Sequence, residues 1–159
     1  MEQNKISFEE SLAFGENGEK QIALFLIEKG YNVLPLYQFE PKLTPRIFNQ
    51  FKNFIAPDLM VFTDSNCSFV EVKSKQQWIK YGGVIETGCD YRHYVEYKQL
   101  SEMTKMPLHI VFNHSIDSPS GYFYVNIETK GRYWDGKNNL GEKKHRPMYF
   151  WQYNQLTKL

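Results

Sequence analysis

Two short segments of this 159-residue chain, Pro57-Asp58 and Glu71-Val72-Lys73, have residue types and a spacing that could do chemistry. Thr63-Asp-Ser-Asn66 between them reads as a four-residue hairpin loop, which pairs Phe62 with Cys67. Counting back along the antiparallel ladder puts Asp58 opposite Glu71, and because side chains alternate, Lys73 shares their face. A slip of one residue would destroy that alignment. Two carboxylates held about 4–6 Å apart repel, and they stay ionised cheaply only with a cation between them. An oxygen-only donor set favours Mg2+ or Mn2+ over Zn2+. The neighbouring Lys73 would orient an activated water or stabilise the charge that builds on a phosphate under attack. That is equipment for phosphodiester hydrolysis. The alternative is a surface salt bridge between Lys73 and either carboxylate, worth about 0–1 kcal/mol.

Spacing alone proves little, because a P-D dipeptide or an E-x-K triplet arises by chance roughly once in two or three chains of this length. The chain has five E-x-K triplets, starting at Glu40, Glu71, Glu96, Glu128 and Glu142. Glu40 and Glu142 fall in loops. Glu96 lies in a helical pattern, where residues two apart do not face together. Glu128 follows a strand but has no upstream P-D partner, so Glu71 alone has the geometry.

The elements that must position these groups follow from periodicity. Ser7-Phe-Glu-Glu10 resembles a capping box opening a helix whose apolar positions Ile22, Ala23, Leu26 and Ile27 run to Gly30, with Gly15 and Gly18 as points that could interrupt or delay it. Tyr31–Leu36, Leu59–Phe62 and Ser68–Val72 read as strands, the last two forming the hairpin. Asp90–Lys105 is helical, with Tyr94, Tyr97, Leu100 and Met103 on one face, and Pro107 marks the exit into strand Leu108–Phe112. A helical crossover between strands implies a parallel pair. Gly121–Ile127 gives a further strand, 130–146 a polar loop and Met148–Trp151 a short apolar ending. The expected class is α/β, a three-layer α/β/α domain with a mixed central sheet.

Composition narrows the class further. With 42% apolar and 23% charged residues and a net charge of +1, the chain can fill a core and is neither disordered nor a polycation. If the chain meets nucleic acid, it must do so through local patches; basic residues concentrate at Lys42, Arg46 and Lys52 and at the six Lys/Arg between Lys130 and Arg146. The longest apolar run, Ile22–Ile27, is far below the roughly 20 residues of a membrane span. No signal-peptide pattern opens the chain, and Cys67 and Cys89 are in no paired spacing, so a cytoplasmic protein with free thiols is expected. No repeat or linker divides it, and residues 1–159 are expected to form one domain.

These residues resemble the PD-(D/E)XK nuclease superfamily, and within it the archaeal Holliday junction resolvase-like enzymes. Gly15-Glu-Asn-Gly-Glu19, the helix after it and Gly30-Tyr-Asn-Val resemble that group's first helix and strand. The twelve residues between Asp58 and Glu71 fit its spacing, and Met106–Phe112 resembles its later strand. The resemblance covers about residues 14–112. It implies a restriction endonuclease-like fold and Mg2+- or Mn2+-dependent cleavage of branched or duplex DNA without an organic cofactor. Asp58, Glu71 and the Val72 carbonyl would be metal ligands and Lys73 would handle the attacking water. Glu19 would complete the metal shell, with Glu16 as fallback one helical step earlier. A junction resolvase of this kind would be a homodimer. The chain departs from compact resolvases by an insertion at about 37–56 and a divergent part at about 113–159. Thr87-Gly-Cys-Asp90-Tyr-Arg-His93, continuing to Tyr97, also resembles a signature of uncharacterised prokaryotic and phage members, implying a helix start that faces the site.

Lys75, Lys80 and Arg92 flank the site as phosphate contacts, with Trp78 and Tyr81 interleaved for base stacking and His93 within reach of a scissile phosphate. Core packing is the competing role for both rings. Phe48, Phe51 and Phe54 recur at helical spacing beside basic residues, as an amphipathic element. His109 and Asn113-His114 lack the context of an HNH centre. Outside the enzyme class, the chain fits a non-catalytic nucleic-acid-binding or scaffolding protein on the same fold.

Overall fold

Gly30, at φ 88°, stops the first helix, α1 (Phe8–Glu28): its N–H returns to Ile27 O and that of Tyr31 to Leu26 O, a Schellman close that turns the chain into β1 (Asn32–Pro35). The computed structural model describes residues 8–36, 46–48, 50, 52–138 and 140–159, with side chains in α1 from residue 17 onward. The helix runs unbroken through Gly15 and Gly18. The Ser7 cap, Glu16 side chain, Lys42 and Phe51 lie outside the described residues. After α1 and β1 come β2 (Arg46–Phe48), β3 (Asn53–Ile55), β4 (Leu59–Phe62), β5 (Cys67–Lys75), β6 (Ile79–Tyr81) and β7 (Val84–Asp90). The chain continues through α2 (Tyr91–Thr104), β8 (Leu108–His114), β9 (Gly121–Asn126), β10 (Arg132–Trp134), β11 (Met148–Gln152) and β12 (Thr157–Lys158).

Among the described residues the central sheet is six-stranded, ordered β1-β4-β5-β8-β9-β12, with β5 and β8 parallel and the other neighbours antiparallel. Alternation along β5 separates two apolar layers. Val70 and Val72 meet Ile22 and Leu26 of α1, whereas Phe69 joins Tyr94, Tyr97 and Leu100 of α2. Asp90 caps α2 by accepting from Arg92 N–H at 2.9 Å. Met103, expected on the buried face, is 40% exposed, and Ser101 is buried instead.

The α2 side holds more than a helix. The second half of the chain forms a four-stranded sheet, β10-β11-β7-β6, in place of the polar loop expected over 130–146 and the short apolar ending expected at Met148–Trp151. Gly82 and Gly83, both at positive φ, make the two-residue turn between β6 and β7. β7 and β11 approach so closely at Gly88 that a Cβ there would stand 2.1 Å from the Tyr149 carbonyl oxygen. The amphipathic helix expected around Phe48 and Phe54 is instead the β2–β3 hairpin. Phe54 is buried and Phe48 is 73% exposed, because a strand pair separates residues that a helix would align.

Candidate active site

The hairpin register is the one the four-residue loop requires. Phe62 pairs with Cys67 and Leu59 with Val70, so Asp58, one residue before β4, stands across from Glu71. The Asp58 carbonyl accepts from Leu36 N–H at 3.0 Å, and its carboxylate Oδ2 accepts from Val72 N–H at 2.6 Å. Lys73 donates to Glu71 Oε1. Asp58 and Glu71 are 9% and 3% exposed, so both acids are withdrawn from bulk water. Glu71 Oε2 is buried and makes no hydrogen bond among the described residues.

α1 reaches this corner because Gly18 has no side chain. A Cβ at Gly18 would lie 1.9 Å from Ser74 Oγ, and Asn113 Nδ2 donates to Gln21 Oε1 at 3.2 Å beside it. The next residue, half-buried Glu19, is near enough for its charge to act on Asp58. From the opposite layer, Tyr97 faces Glu71 and Asp58, and His93 one turn earlier faces Lys73 and Glu71. The start of α2 is turned toward the site.

Burial, then the Glu71 charge, raises the Asp58 carboxyl well above its ordinary value; Glu19 adds to this and Lys73 opposes it. Burial works against the Lys73 ammonium, but Glu71 and Asp58 outweigh it and hold that pKa above the ordinary lysine value. Burial, then Lys73, lowers His93, and burial, then the Glu71 charge, lifts the Tyr97 hydroxyl. An acid whose pKa is raised on folding binds protons that the unfolded chain has released, so Asp58 weakens the fold as pH climbs from its ordinary 3.8 toward the raised value. Asp58→Asn should therefore gain thermal stability relative to wild type between pH 4 and pH 7 in divalent-free buffer. Melting curves in which the two proteins keep a constant separation across that range would contradict this.

The donor set fits a hard divalent cation. The site has two buried carboxylates, of which Asp58 is held toward its protonated form by burial and by the Glu71 charge, an unsatisfied Glu71 oxygen, and neither imidazole nor thiol in the first rank. Among the described residues no three His, Cys, Asp or Glu side chains already stand together as a ligand cluster, so Glu19 is close to the pair without completing it. Mg2+ is commonly held by one or two carboxylates, with waters and substrate phosphate filling the rest.

The flanking residues divide. Lys80 and Arg92 are exposed, and His93 is half-buried with Arg92 Nη2 3.4 Å from its Nε2. Trp78 requires a correction: it is 5% exposed, its ring stacks on His114 at 3.7 Å, and its Nε1 donates to Pro119 O at 3.0 Å. A ring covered on its faces cannot receive a base, so Trp78 is a core residue. Its partner His114 is pushed down to about 4 by burial, then by Lys75, and packs as a neutral ring. The α2 periodicity marks Tyr97 as inward-facing, but nothing local marks what it faces, and nothing local distinguishes Ser74.

No family model matches the sequence, and no curated protein does. Among solved structures the chain is similar to Archaeoglobus fulgidus Hjc, a Holliday junction resolvase from an archaeal hyperthermophile, with a TM-score of 0.56 and 8% identity over 88% of this chain and 89% of that one. This likeness shows the fold: a mixed central sheet with one parallel pair, consistent with the restriction endonuclease-like class. No helix among the described residues is long and apolar enough to cross a membrane.

Proposed function

We propose that this chain is a metal-dependent nuclease hydrolysing phosphodiester bonds in DNA, with branched DNA as the preferred substrate. One observation carries the proposal: Asp58, Glu71 and Lys73 converge at one end of the β4–β5 hairpin, where Asp58 is tied to Val72 N–H and Lys73 to Glu71. The fold shared with a Holliday junction resolvase supports the DNA class and a symmetric homodimer cutting both strands.

Asp58, Glu71 and the Val72 carbonyl would hold Mg2+ or Mn2+, with Glu19 reaching it through a coordinated water, and the ion when bound polarises a phosphoryl oxygen and acidifies a water. Lys73 stays an ammonium at neutral pH because the carboxylates raise its pKa. It therefore acts as a donor that orients the attacking water and offsets charge on the phosphate, not as a base. Tyr97 likewise keeps its proton and faces Glu71 as a neutral neighbour. Lys75, Lys80 and Arg92 contact phosphates on either side, and neutral His93 can donate to the scissile one.

The test is cleavage of end-labelled four-way junction, linear duplex, single-stranded DNA and RNA in Mg2+, in Mn2+ and in EDTA, with the mass measured in solution. Junction cleavage that needs either metal and comes from a dimer is the expected result. Equal cleavage of linear duplex and junction would remove the branched preference. Binding with no cleavage in either metal would replace the enzyme by a non-catalytic nucleic-acid-binding protein.

A further inference from the structure

Beside the candidate site, the second sheet encloses a cavity of about 720 Å³, within the roughly 300–1,000 Å³ range of small-molecule sites. Lys75 lines one end of it. That residue follows Lys73 by two positions on β5, so both side chains leave the same face of the strand, their Cα atoms about 7 Å apart. Lys75 is half-buried and makes no ion pair among the described residues; burial, then the Lys73 charge, lowers its pKa to about 8. A half-buried cation without a counter-anion suits an anionic ligand.

The rest of the lining has a second chemistry. Tyr81 and Trp134 present rings to the cavity, and Tyr81 is 57% exposed. Arg132 is fixed over Tyr81 at 4.0 Å by its ion pair with buried Glu86. Lys137 and Arg146 stand at the rim, where they also reach Asp135 at 3.2 Å and Asp90 at 3.9 Å. No Asp or Glu is among the described residues that line the cavity. Planar rings with an unpaired cation beside them match a nucleotide, with its base on the rings and its phosphate toward Lys75. A paired base cannot use such a site, because its faces are covered by the duplex stack. An unpaired one can.

We infer that the second sheet forms a pocket for one unpaired nucleotide of a DNA strand, adjoining the proposed cleavage centre through Lys73 and Lys75. The identity of the ligand strand rests on the nuclease reading, whereas the pocket itself does not. Its consequence is selectivity: DNA with a flap, bulge or splayed junction base binds in preference to perfect duplex.

The test is fluorescence anisotropy in EDTA, with a labelled duplex carrying a single unpaired nucleotide and the same duplex with an abasic sugar at that position. Wild type should prefer the base-containing DNA about tenfold, as expected for one stacked base. Tyr81→Ala and Trp134→Ala, checked for folding by circular dichroism, should bring that ratio near one. Lys75→Met should weaken both DNAs and reduce the salt dependence by about one phosphate contact. A ratio near one in wild type, a ratio unchanged in the Tyr81→Ala Trp134→Ala double variant, or displacement of the DNA by acidic peptide at equal concentration would overturn the pocket. Cleavage in Mg2+ is scored separately. Cleavage without the base preference sinks the pocket and leaves the nuclease standing, and the preference without cleavage does the reverse.

Discussion

Asp58→Asn is expected to lower the single-turnover rate of DNA cleavage in Mg2+ by about 10³-fold, the scale of losing one preorganised electrostatic group, while the protein stays folded. An amide oxygen can still accept from Val72 N–H, as Oδ2 does at 2.6 Å, so the hairpin end keeps its link. What disappears is one negative charge from a buried acidic corner where Glu71 and Glu19 already disfavour it. Rate and stability therefore move in opposite directions. Lys73→Gln should also lose rate, by about 10²-fold or more, but with a loss of stability, because the 3%-exposed Glu71 then keeps its charge without its ammonium. Glu71→Gln combined with Lys73→Gln should recover the stability and none of the activity. Single-turnover assays and thermal melts on these variants decide the matter; an Asp58→Asn enzyme that cleaves at the wild-type rate removes Asp58 from the chemistry.

Arg132→Ala should destabilise the fold by about 4 kcal/mol, the scale of breaking a buried ion pair from one side. Glu86 on β7 is fully buried, and its carboxylate accepts from Arg132 Nε at 3.2 Å and from Nη2 at 2.5 Å. The guanidinium reaches it from β10 across β11, packed 4.0 Å over Tyr81 and 4.9 Å over Phe150. Removing the arginine strands a carboxylate in the interior and takes two stacking contacts with it. The melting temperature should fall by about 10 °C at this chain length. Glu86→Leu with Arg132→Met should regain most of that loss, because a buried pair replaced on both sides by apolar groups leaves no charge uncompensated. A drop below about 1 kcal/mol for Arg132→Ala would mean the pair behaves as a surface contact.

The two predictions fall in regions that differ in how much the sequence reveals. The β4–β5 hairpin is legible because its determinants are local: a four-residue polar loop sets Phe62 opposite Cys67, and strict alternation carries that register to Asp58, Glu71 and Lys73. The second sheet is not, because β7 pairs with β11 across some sixty residues and β10 has only three, too short to show a period. Gly82-Gly83 between apolar residues was the one local sign of β6–β7. Trp78 beside Lys75 and Lys80 has the composition of a binding surface, yet His114, Phe123 and Tyr153 close around it.

The linear order of residues by itself determined the helix stop at Gly30, the helical pattern from Asp90, the parallel β5–β8 pair and the shared face of the acidic groups and Lys73. All of these follow from steric preference and periodicity over a few neighbours. Only the tertiary structure decided that α1 could press Gly18 against Ser74 and bring Glu19 near Asp58. It also decided that Trp78 is interior and that Lys75, Tyr81 and Trp134 surround one cavity. Those outcomes depend on which distant surfaces exclude water from one another, which no local pattern encodes.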